Sequence, residues 1–146
     1  MSSIEWCKKQ KKGVRLIEPL EYMSNDYIER AEKDLSSMIL LNGHWKIITA
    51  YYACYDILTA LLSKVGIKSE IHECTIELMK LFEFNEADIL FIKELKQKRI
   101  DVQYYLKSVD FEDEILVKKF VLKVKKIIDE LTRTEIEKIR SSLYGV

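Results

Sequence analysis

The sequence predicts an all-α protein, an antiparallel bundle of four to five main helices with short extra helices at the termini. The 146 residues include only four glycines and one proline, where average usage would give roughly ten and seven. Because the turns of a sheet protein depend on these residues, their scarcity argues against a sheet. Hydrophobic residues make up 48% of the chain, which excludes a disordered protein and suffices for the core of one domain, residues 1–146.

Charge and cysteine content narrow the class of protein further. The 24 basic and 24 acidic residues cancel, so any site for nucleic acid or an anionic membrane must be local. The longest uncharged apolar run, Ile47 to Tyr55, is too short to span a bilayer, and the first residues lack a signal-peptide pattern. Three cysteines without C-x-x-C spacing argue against a disulfide framework or a zinc site. We therefore expect a cytoplasmic protein without a metal, a cofactor or a membrane partner.

The first half of the chain is divided by a few helix-stop residues. The basic segment 1–18 is expected to be a short helix or a solvated arm, which Pro19 interrupts. The cluster Ser24–Asp26 predicts the N-cap of the first long helix, which runs until Asn42–Gly43. A second helix, from about Trp45 to Gly66, is apolar on most faces, which predicts a place at the bundle centre or at a subunit interface.

Four residues mark where the later helices are expected to begin: Ser69, Asn85, Asp110 and Thr134. Asp88 stands at the capping-box position for the second of these, and Glu137 for the last. The helix from Asp110 carries a sustained apolar stripe to Leu131. A separate tail helix over 134–144 is predicted, closed by Gly145.

Arg99 interrupts the apolar stripe of the fourth helix, between Leu95 and Val102. A charged side chain there needs a partner or a water-lined cleft. One interpretation is a structural ion pair with Asp56, which itself interrupts an apolar stretch. Four residues of the second helix lie roughly along one narrow side and could form a polar seam: Thr49, Tyr52, Asp56 and Ser63. The alternative is that this side is a helix edge in contact with water.

The two histidines and the paired tyrosines carry little chemistry alone. His44 and His72 do not stand in Glu-x-x-His, so a di-iron site has no support. We expect His44 at the surface and His72 as a hydrogen-bonded structural residue. The sequence has no phosphate loop, no Ser/His/Asp set and no Cys/His signature. The chain has two pairs of tyrosines, Tyr51–Tyr52 and Tyr104–Tyr105. Such pairs can stack on bases, but in helices they more often anchor a core or an interface.

Several segments follow one another in a fairly specific order over about residues 22–131. They are RAEKDL at 30–35 with LNGHW at 41–45, YYA at 51–53 with LLSKVGI at 61–67, His72, and RIDVQYY at 99–105. Together they resemble the HEPN family of small helical domains. The resemblance implies a bundle that usually dimerises, with the motif helices lining a shared cleft. Segment 1–18 and helix 134–144 lie outside it.

The resemblance also implies a chemistry. Many HEPN domains are metal-independent ribonucleases, often toxins paired with a small nucleotidyltransferase antitoxin. Their motif is an arginine, thought to hold the phosphate, followed four to six residues later by a histidine that assists attack by the ribose hydroxyl. Here Arg99 is retained, but Gln103, Tyr104 and Tyr105 fill the histidine window. A tyrosine hydroxyl is a poor general base at neutral pH, although it can donate a hydrogen bond to phosphate.

The spacing of this motif raises a geometric question. Five residues along a straight helix rotate by roughly 140°, so Arg99 and Tyr104 would not share a face, whereas Arg99 and Gln103 would. Either the helix ends or bends near Gln103, or the spacing serves a cleft between two subunits.

The resemblance and the missing histidine together predict a dimeric HEPN-like module. It would bind a nucleotide, RNA or a nucleotidyltransferase partner in a toxin–antitoxin-like or defence system, without cleavage. The candidate phosphate-binding residues are Arg99, Gln103, Tyr104 and Tyr105. One alternative is a metal-independent ribonuclease in which Arg99 acts with Tyr104 or His72 as the substitute base. The other is a purely structural helical dimerisation domain.

Overall fold

A computed structural model describes residues 3–144 and shows an all-α fold, as predicted. The long helices are α2 (Glu21–Leu40), α3 (His44–Val65), α5 (Glu86–Gln103) and α6 (Glu114–Glu130), followed by α7 (Arg133–Tyr144). The short elements are α1 (Ile4–Lys9), β1 (Arg15–Leu16), β2 (Ile67–Lys68), α4 (His72–Glu77) and a 3₁₀ turn (Leu78–Leu81). The strands form an antiparallel ribbon of two residues each. No helix within residues 3–144 combines the length and the apolar character that crossing a membrane needs.

Helix α3 is the central element, as its apolar faces predict. It packs against α2, α5 and α6, and Tyr51 and Ile57 at its middle are fully buried. The main core therefore lies between these four long helices. Gly66 ends α3 in the left-handed conformation, with φ of 85°, as expected for a C-terminal glycine stop. His44, at the start of α3, is exposed as predicted.

The predicted N-cap at Ser24 is wrong, because α2 begins earlier. The helix starts at Glu21, directly after Pro19 and Leu20, and the backbone N–H of Leu20 donates to the Ser63 carbonyl over 2.9 Å. Ser24 lies inside the helix, is only 1% exposed, and donates its hydroxyl to the Ala60 carbonyl over 2.8 Å. The Ser24 hydroxyl thus forms a tertiary hydrogen bond with α3 and does not cap α2.

Of the four predicted starts, only the one at Asn85 is in place. Asn85 Oδ1 accepts from the Asp88 backbone N–H over 2.8 Å, and Asp88 Oδ2 accepts from that of Asn85 over 3.0 Å, which is the predicted capping box. Ser69 does not cap α4, which begins at His72. Its hydroxyl instead donates to the Ile71 carbonyl and accepts a hydrogen bond from Thr75.

The last two helices also begin at other residues than predicted. Helix α6 starts at Glu114 and not at Asp110, because Phe111 in the preceding loop packs against a small cluster that includes Val102. The capping box of α7 is formed by Thr132 and Glu135, two residues before the predicted pair. Gly145, the predicted end of the tail helix, lies outside the described residues.

A disulfide bond joins Cys7 of α1 to Cys74 of α4, so the prediction against a disulfide is wrong. The two cysteines are 67 residues apart, and local spacing carries no information about such a pair. The bond lies in a second, smaller core that α1, α4 and α7 form with the end of α3. The third cysteine, Cys54, is free and buried in α3. The cysteines therefore do not indicate a reducing compartment.

Candidate functional site

Arg99 lies in a box of aromatic rings at the end of α5. Its side chain is 7% exposed, and its Cζ atom lies 4.8 Å from the ring centre of Tyr51, 5.6 Å from that of Tyr52 and 5.8 Å from that of Tyr104. These distances are within the range in which the face of an aromatic ring attracts a cation. The aromatic box therefore supplies part of the stabilisation that a buried guanidinium group needs.

The hydrogen bonds of Arg99 leave part of the guanidinium group unsatisfied. Nη1 donates to the Tyr52 hydroxyl and to Gln103 Oε1, each over 3.3 Å. Nε is buried and has no hydrogen-bond partner among the described residues. Within residues 3–144, no carboxylate forms a salt bridge with Arg99. Since a buried charge without a counter-charge is costly, the site is suited to an anionic ligand.

The end of α5 explains how the candidate residues of the motif come together. The helix stops at Gln103, and Tyr104 is its C-cap residue. Of the two geometric alternatives, the helix end at Gln103 is therefore present, and with it the ring of Tyr104 lies near Arg99. Gln103 reaches Arg99 from one turn along the same helix face. Tyr105 lies outside the box: it is 68% exposed, with Lys107 Nζ 5.9 Å from its ring centre.

His72 joins this site from the first residue of α4. Its Nδ1 atom lies 2.9 Å from the Tyr51 hydroxyl, and its ring stacks on Tyr55 with centres 4.0 Å apart. Burial lowers the pKa of His72 to about 4, and the positive charges of Arg99 and Lys96 add to the effect. His72 is thus hydrogen-bonded, as predicted, and is a neutral imidazole at pH 7. Its partner is Tyr51, the tyrosine whose ring covers Arg99.

Tyr51 connects His72 with Arg99. Burial raises the pKa of Tyr51, the neighbouring Tyr55 raises it further, and Arg99 lowers it in part. The hydroxyl therefore stays protonated over the physiological range. Its oxygen contacts His72 while its ring faces Arg99, so the charge on either of these residues affects the other. Sequence patterns do not indicate this link, because it depends on His72 of α4 lying against the tyrosines of α3.

A groove of about 790 Å³ between α2 and α3 lies next to the aromatic box. All four residues of the predicted polar seam line it: Thr49, Tyr52, Asp56 and Ser63. Tyr52 belongs to both sites, because its ring lines the groove and its hydroxyl accepts from Arg99. Tyr55 also lines the groove and stacks on His72. The two tyrosines therefore form a wall that the groove shares with the Arg99 site.

Asp56 does not pair with Arg99, so the predicted ion pair is wrong. Its side chain is 7% exposed and forms a hydrogen bond with Asp34 of α2. Burial, with the contact and charge of Asp34, raises the pKa of Asp56 to about 8, and Arg30 offsets part of this effect. At neutral pH the Asp56 carboxyl group therefore keeps its proton. The purely structural interpretation of Arg99 loses the ion pair on which it was based.

Asp34 is a residue of this region that no sequence motif indicated. It stands three residues after Ala31 and four before Met38, both fully buried. Since residues at this spacing share a helix face, Asp34 could have been recognised as a carboxylate turned toward α3. Comparison with known proteins adds no assignment: no protein-family model matches the chain, and no curated protein matches its sequence.

Proposed function

We propose that this protein is a nucleotide- or RNA-binding helical domain in which Arg99 holds a phosphate group. The observation that carries the proposal is the buried guanidinium of Arg99, which has no carboxylate partner and an unpaired Nε among the described residues. Arginine binds phosphate oxygens through paired N–H groups, and this makes phosphate a natural counter-ion. The HEPN resemblance supports the same role, because Arg99 is the residue that matches the family's arginine.

Two neighbours of Arg99, Gln103 and Tyr104, would complete the phosphate site. Gln103 accepts from Arg99 through Oε1, which leaves its amide N–H₂ group as a donor to a phosphate oxygen. Tyr104 contributes a hydroxyl donor, and its exposed ring, with that of Tyr105, offers a surface on which bases can stack.

The proposal includes a dimer with the Arg99 sites at a shared cleft. Tyr104, Tyr105 and Leu106 are 64%, 68% and 85% exposed, and they form an apolar edge directly after α5. A second copy that covers this edge would bring two Arg99 residues close together. Sedimentation velocity tests this: Leu106→Asp should convert a dimer into a monomer, and a wild-type monomer at high micromolar concentration would contradict it. The proposed protein partner is a nucleotidyltransferase of a toxin–antitoxin-like or defence system.

The binding role of Arg99 can be tested with fluorescently labelled single-stranded RNA. We expect Arg99→Ala to weaken the affinity measured by anisotropy roughly tenfold or more, as for the loss of a charge-assisted contact. Arg133→Ala is the matched control, because it removes one arginine whose side chain is 94% exposed on α7. Equal affinities of the wild type and Arg99→Ala would overturn the proposal.

A metal-independent ribonuclease is the second candidate, and the position of His72 favours it. A general base must be unprotonated and near the phosphate, and His72 is neutral at pH 7 and contacts the tyrosine whose ring covers Arg99. Its pKa of about 4 makes it a weak base, so we expect slow cleavage. Purified protein, labelled RNA and EDTA provide the assay. Cleavage that both Arg99→Ala and His72→Ala abolish would support this function and make Tyr104 unnecessary as the base. Identical background cleavage in all three proteins would reject it.

A further inference from the structure

A patch of basic side chains lies outside the Arg99 site, where the chain after α1 meets the two short strands. Residues 6–17 contain five basic residues and no acidic one, although the whole chain has no net charge. Lys11, Lys12 and Lys68 are exposed, and none of them forms a salt bridge within residues 3–144. With Arg15 they form a basic ribbon, and a local positive surface of this kind attracts polyanions.

Backbone contacts hold the basic ribbon together. Arg15 and Lys68 are directly opposite each other in the antiparallel pair of strands. The backbone N–H of Glu70 donates to the Lys12 carbonyl over 3.0 Å, and Arg15 Nη1 donates to the Lys11 carbonyl over 3.4 Å. The four basic residues therefore belong to one small surface.

The loop between α1 and β1 is fixed to the rest of the domain. The backbone N–H of Val14 donates to the Cys7 carbonyl over 3.0 Å, and Cys7 forms the disulfide with Cys74. Gly13 approaches so closely that a Cβ atom there would lie 1.9 Å from the Cys7 carbonyl oxygen. Because the loop is held in this way, a ligand of the basic ribbon would have little chain to order on binding.

The basic ribbon adjoins one end of the groove between α2 and α3. Lys68 lines the groove, and so does Tyr52, whose hydroxyl accepts from Arg99. Between Tyr52 and the C-terminal end of α3, the helix rises by about 20 Å. Tyr27 and Tyr55 add two more aromatic rings to the lining. The groove thus connects the Arg99 site with the basic ribbon.

Positive charges outnumber negative ones along this path. Of the acids that line the groove, Asp56 keeps its proton at neutral pH, and Glu70 is paired with Arg15 over 3.1 Å. Arg30 lines the groove as well. Even with Asp34 and Glu70 counted as charged, Arg30 and the basic ribbon leave an excess of positive charge, which favours an anionic ligand.

We propose that a single strand of RNA lies along the groove and continues onto the basic ribbon, which binds its phosphates while the tyrosines of the groove stack on its bases. Proteins commonly hold single strands by aromatic rings in a positively charged groove. A stacked strand advances about 3.4 Å per nucleotide, so the path from Tyr52 to the ribbon takes roughly six nucleotides. An anionic membrane fits less well, because a flat lipid surface cannot enter the groove.

This inference rests on the proposed function in one respect, namely that Arg99 holds a phosphate of the same strand. The basic ribbon itself is an addition to the site, since Lys11, Lys12 and Arg15 belong to segment 1–18, outside the HEPN resemblance.

Fluorescence anisotropy with two labelled oligouridylates, of roughly ten and three nucleotides, tests the path because only the longer one can span it. The triple variant Lys11→Gln/Lys12→Gln/Lys68→Gln removes three charges of the basic ribbon. We expect it to weaken binding of the longer RNA roughly tenfold or more and to leave binding of the trinucleotide unchanged. The slope of log affinity against log salt concentration should fall by about two, because each phosphate contact of a single strand contributes about 0.7. An unchanged slope would overturn the inference.

The matched control is Lys33→Gln/Lys119→Gln/Lys126→Gln, which removes the same charge from exposed lysines of α2 and α6. Equal losses in the control and the ribbon variant would overturn the inference, since net charge alone would then explain both. If thermal melting shows that the triple variant is destabilised, Lys11→Gln alone should still lower the slope by about 0.7.

Vesicles of phosphatidylcholine and phosphatidylserine distinguish the other polyanion. Loss of vesicle binding in the ribbon variant, with RNA affinity equal to that of the wild type, would assign the basic ribbon to a membrane surface and overturn the assigned ligand.

The inference and the proposed function fail in different ways. RNA affinity that depends on Arg99 but not on the basic ribbon would overturn the extended path and leave the phosphate role of Arg99 intact. RNA affinity that depends on the basic ribbon but not on Arg99 would confirm the ribbon as an RNA surface and overturn that phosphate role.

Discussion

The hydroxyl group of Tyr51 lies 2.9 Å from Nδ1 of His72, and this contact joins the middle of α3 to the first residue of α4. The Tyr51 ring also lies under the guanidinium of Arg99. A neutral imidazole and a buried cation are therefore held on one tyrosine. The arrangement makes the protonation of His72 sensitive to the charge of Arg99, and this sensitivity can be measured.

We expect His72 to titrate with a pKa of about 4, well below the ordinary 6.5. Burial is the main cause and Arg99 the second, so Arg99→Ala should raise the pKa of His72 only part of the way back. NMR titration of the imidazole carbon signals measures both values. A wild-type pKa near 6.5 would contradict the described environment of His72.

The same shift predicts how stability depends on pH. The folded state disfavours protonated His72. The contribution of neutral His72 to the free energy of unfolding is therefore fully present above pH 6.5 and is lost as the pH falls toward 4. Urea unfolding at pH 4.5 and pH 6.5 should therefore show a smaller pH-dependent change for His72→Gln than for the wild type. The same change in both proteins would contradict this expectation.

Asp56 predicts the opposite dependence on pH: its contribution to the free energy of unfolding falls as the pH rises. Its pKa is raised from 3.8 to about 8, so its contribution is largest below pH 4 and is lost as the pH rises through 8. Between pH 4 and 6.5 this trend opposes that of His72, and the clear window is therefore pH 6.5 to 8.5. We expect the free energy of unfolding to fall across this window in the wild type, and to fall less in Asp56→Asn. An unchanged slope in the variant would show that Asp56 is already ionised at neutral pH.

The Cys7–Cys74 disulfide closes a long loop of the chain. Because the two residues are 67 positions apart, the chain-entropy model gives the bond about 4 kcal/mol of stabilisation. Cys7→Ser should therefore unfold at a lower urea concentration than the oxidised wild type, whereas dithiothreitol should destabilise only the wild type. Thiol titration in denaturant should find one thiol before reduction, from Cys54, and three afterwards. Three thiols without reduction would contradict the bond.

Ser24 is expected to contribute to stability through α3 and not as a helix cap. Ser24→Ala removes the buried hydrogen bond to the Ala60 carbonyl, which should cost about 1 kcal/mol in urea unfolding. Ser36→Ala is the matched control, because its exposed hydroxyl bonds only within α2, to the Glu32 carbonyl. Equal effects of the two changes would argue against the tertiary role of Ser24.

Local patterns predicted those parts of the fold that depend on neighbours in sequence. The capping box at Asn85 needs only four consecutive residues, and the central place of α3 follows from its own apolar faces. Ser24 and Ser69 look like caps in sequence, but their hydroxyls bond elsewhere once the helices pack. The bond between Cys7 and Cys74 depends on contacts that no local spacing records.

The candidate site was predictable in the same limited sense. Arg99 is visible in the sequence because a charge interrupts an apolar stripe, but its surroundings are not. Gln103 shares its helix face, as the spacing predicts, whereas Tyr104 lies near it where α5 ends. The sequence allows a pair of Asp56 with Arg99, but Asp56 interacts with Asp34 of α2, because helix packing decides the partner of a buried charge.

The most direct test of the central claim is the Nε–H signal of Arg99 in the NMR spectrum of ¹⁵N-labelled protein. Titration with inorganic phosphate or a short single-stranded RNA should shift this signal in a saturable way, because a phosphate group held by Arg99 changes the surroundings of its Nε–H group. The exposed Arg133 should show no comparable shift. Saturable binding that leaves the Arg99 signal unchanged would show that the phosphate binds elsewhere, and would contradict the account.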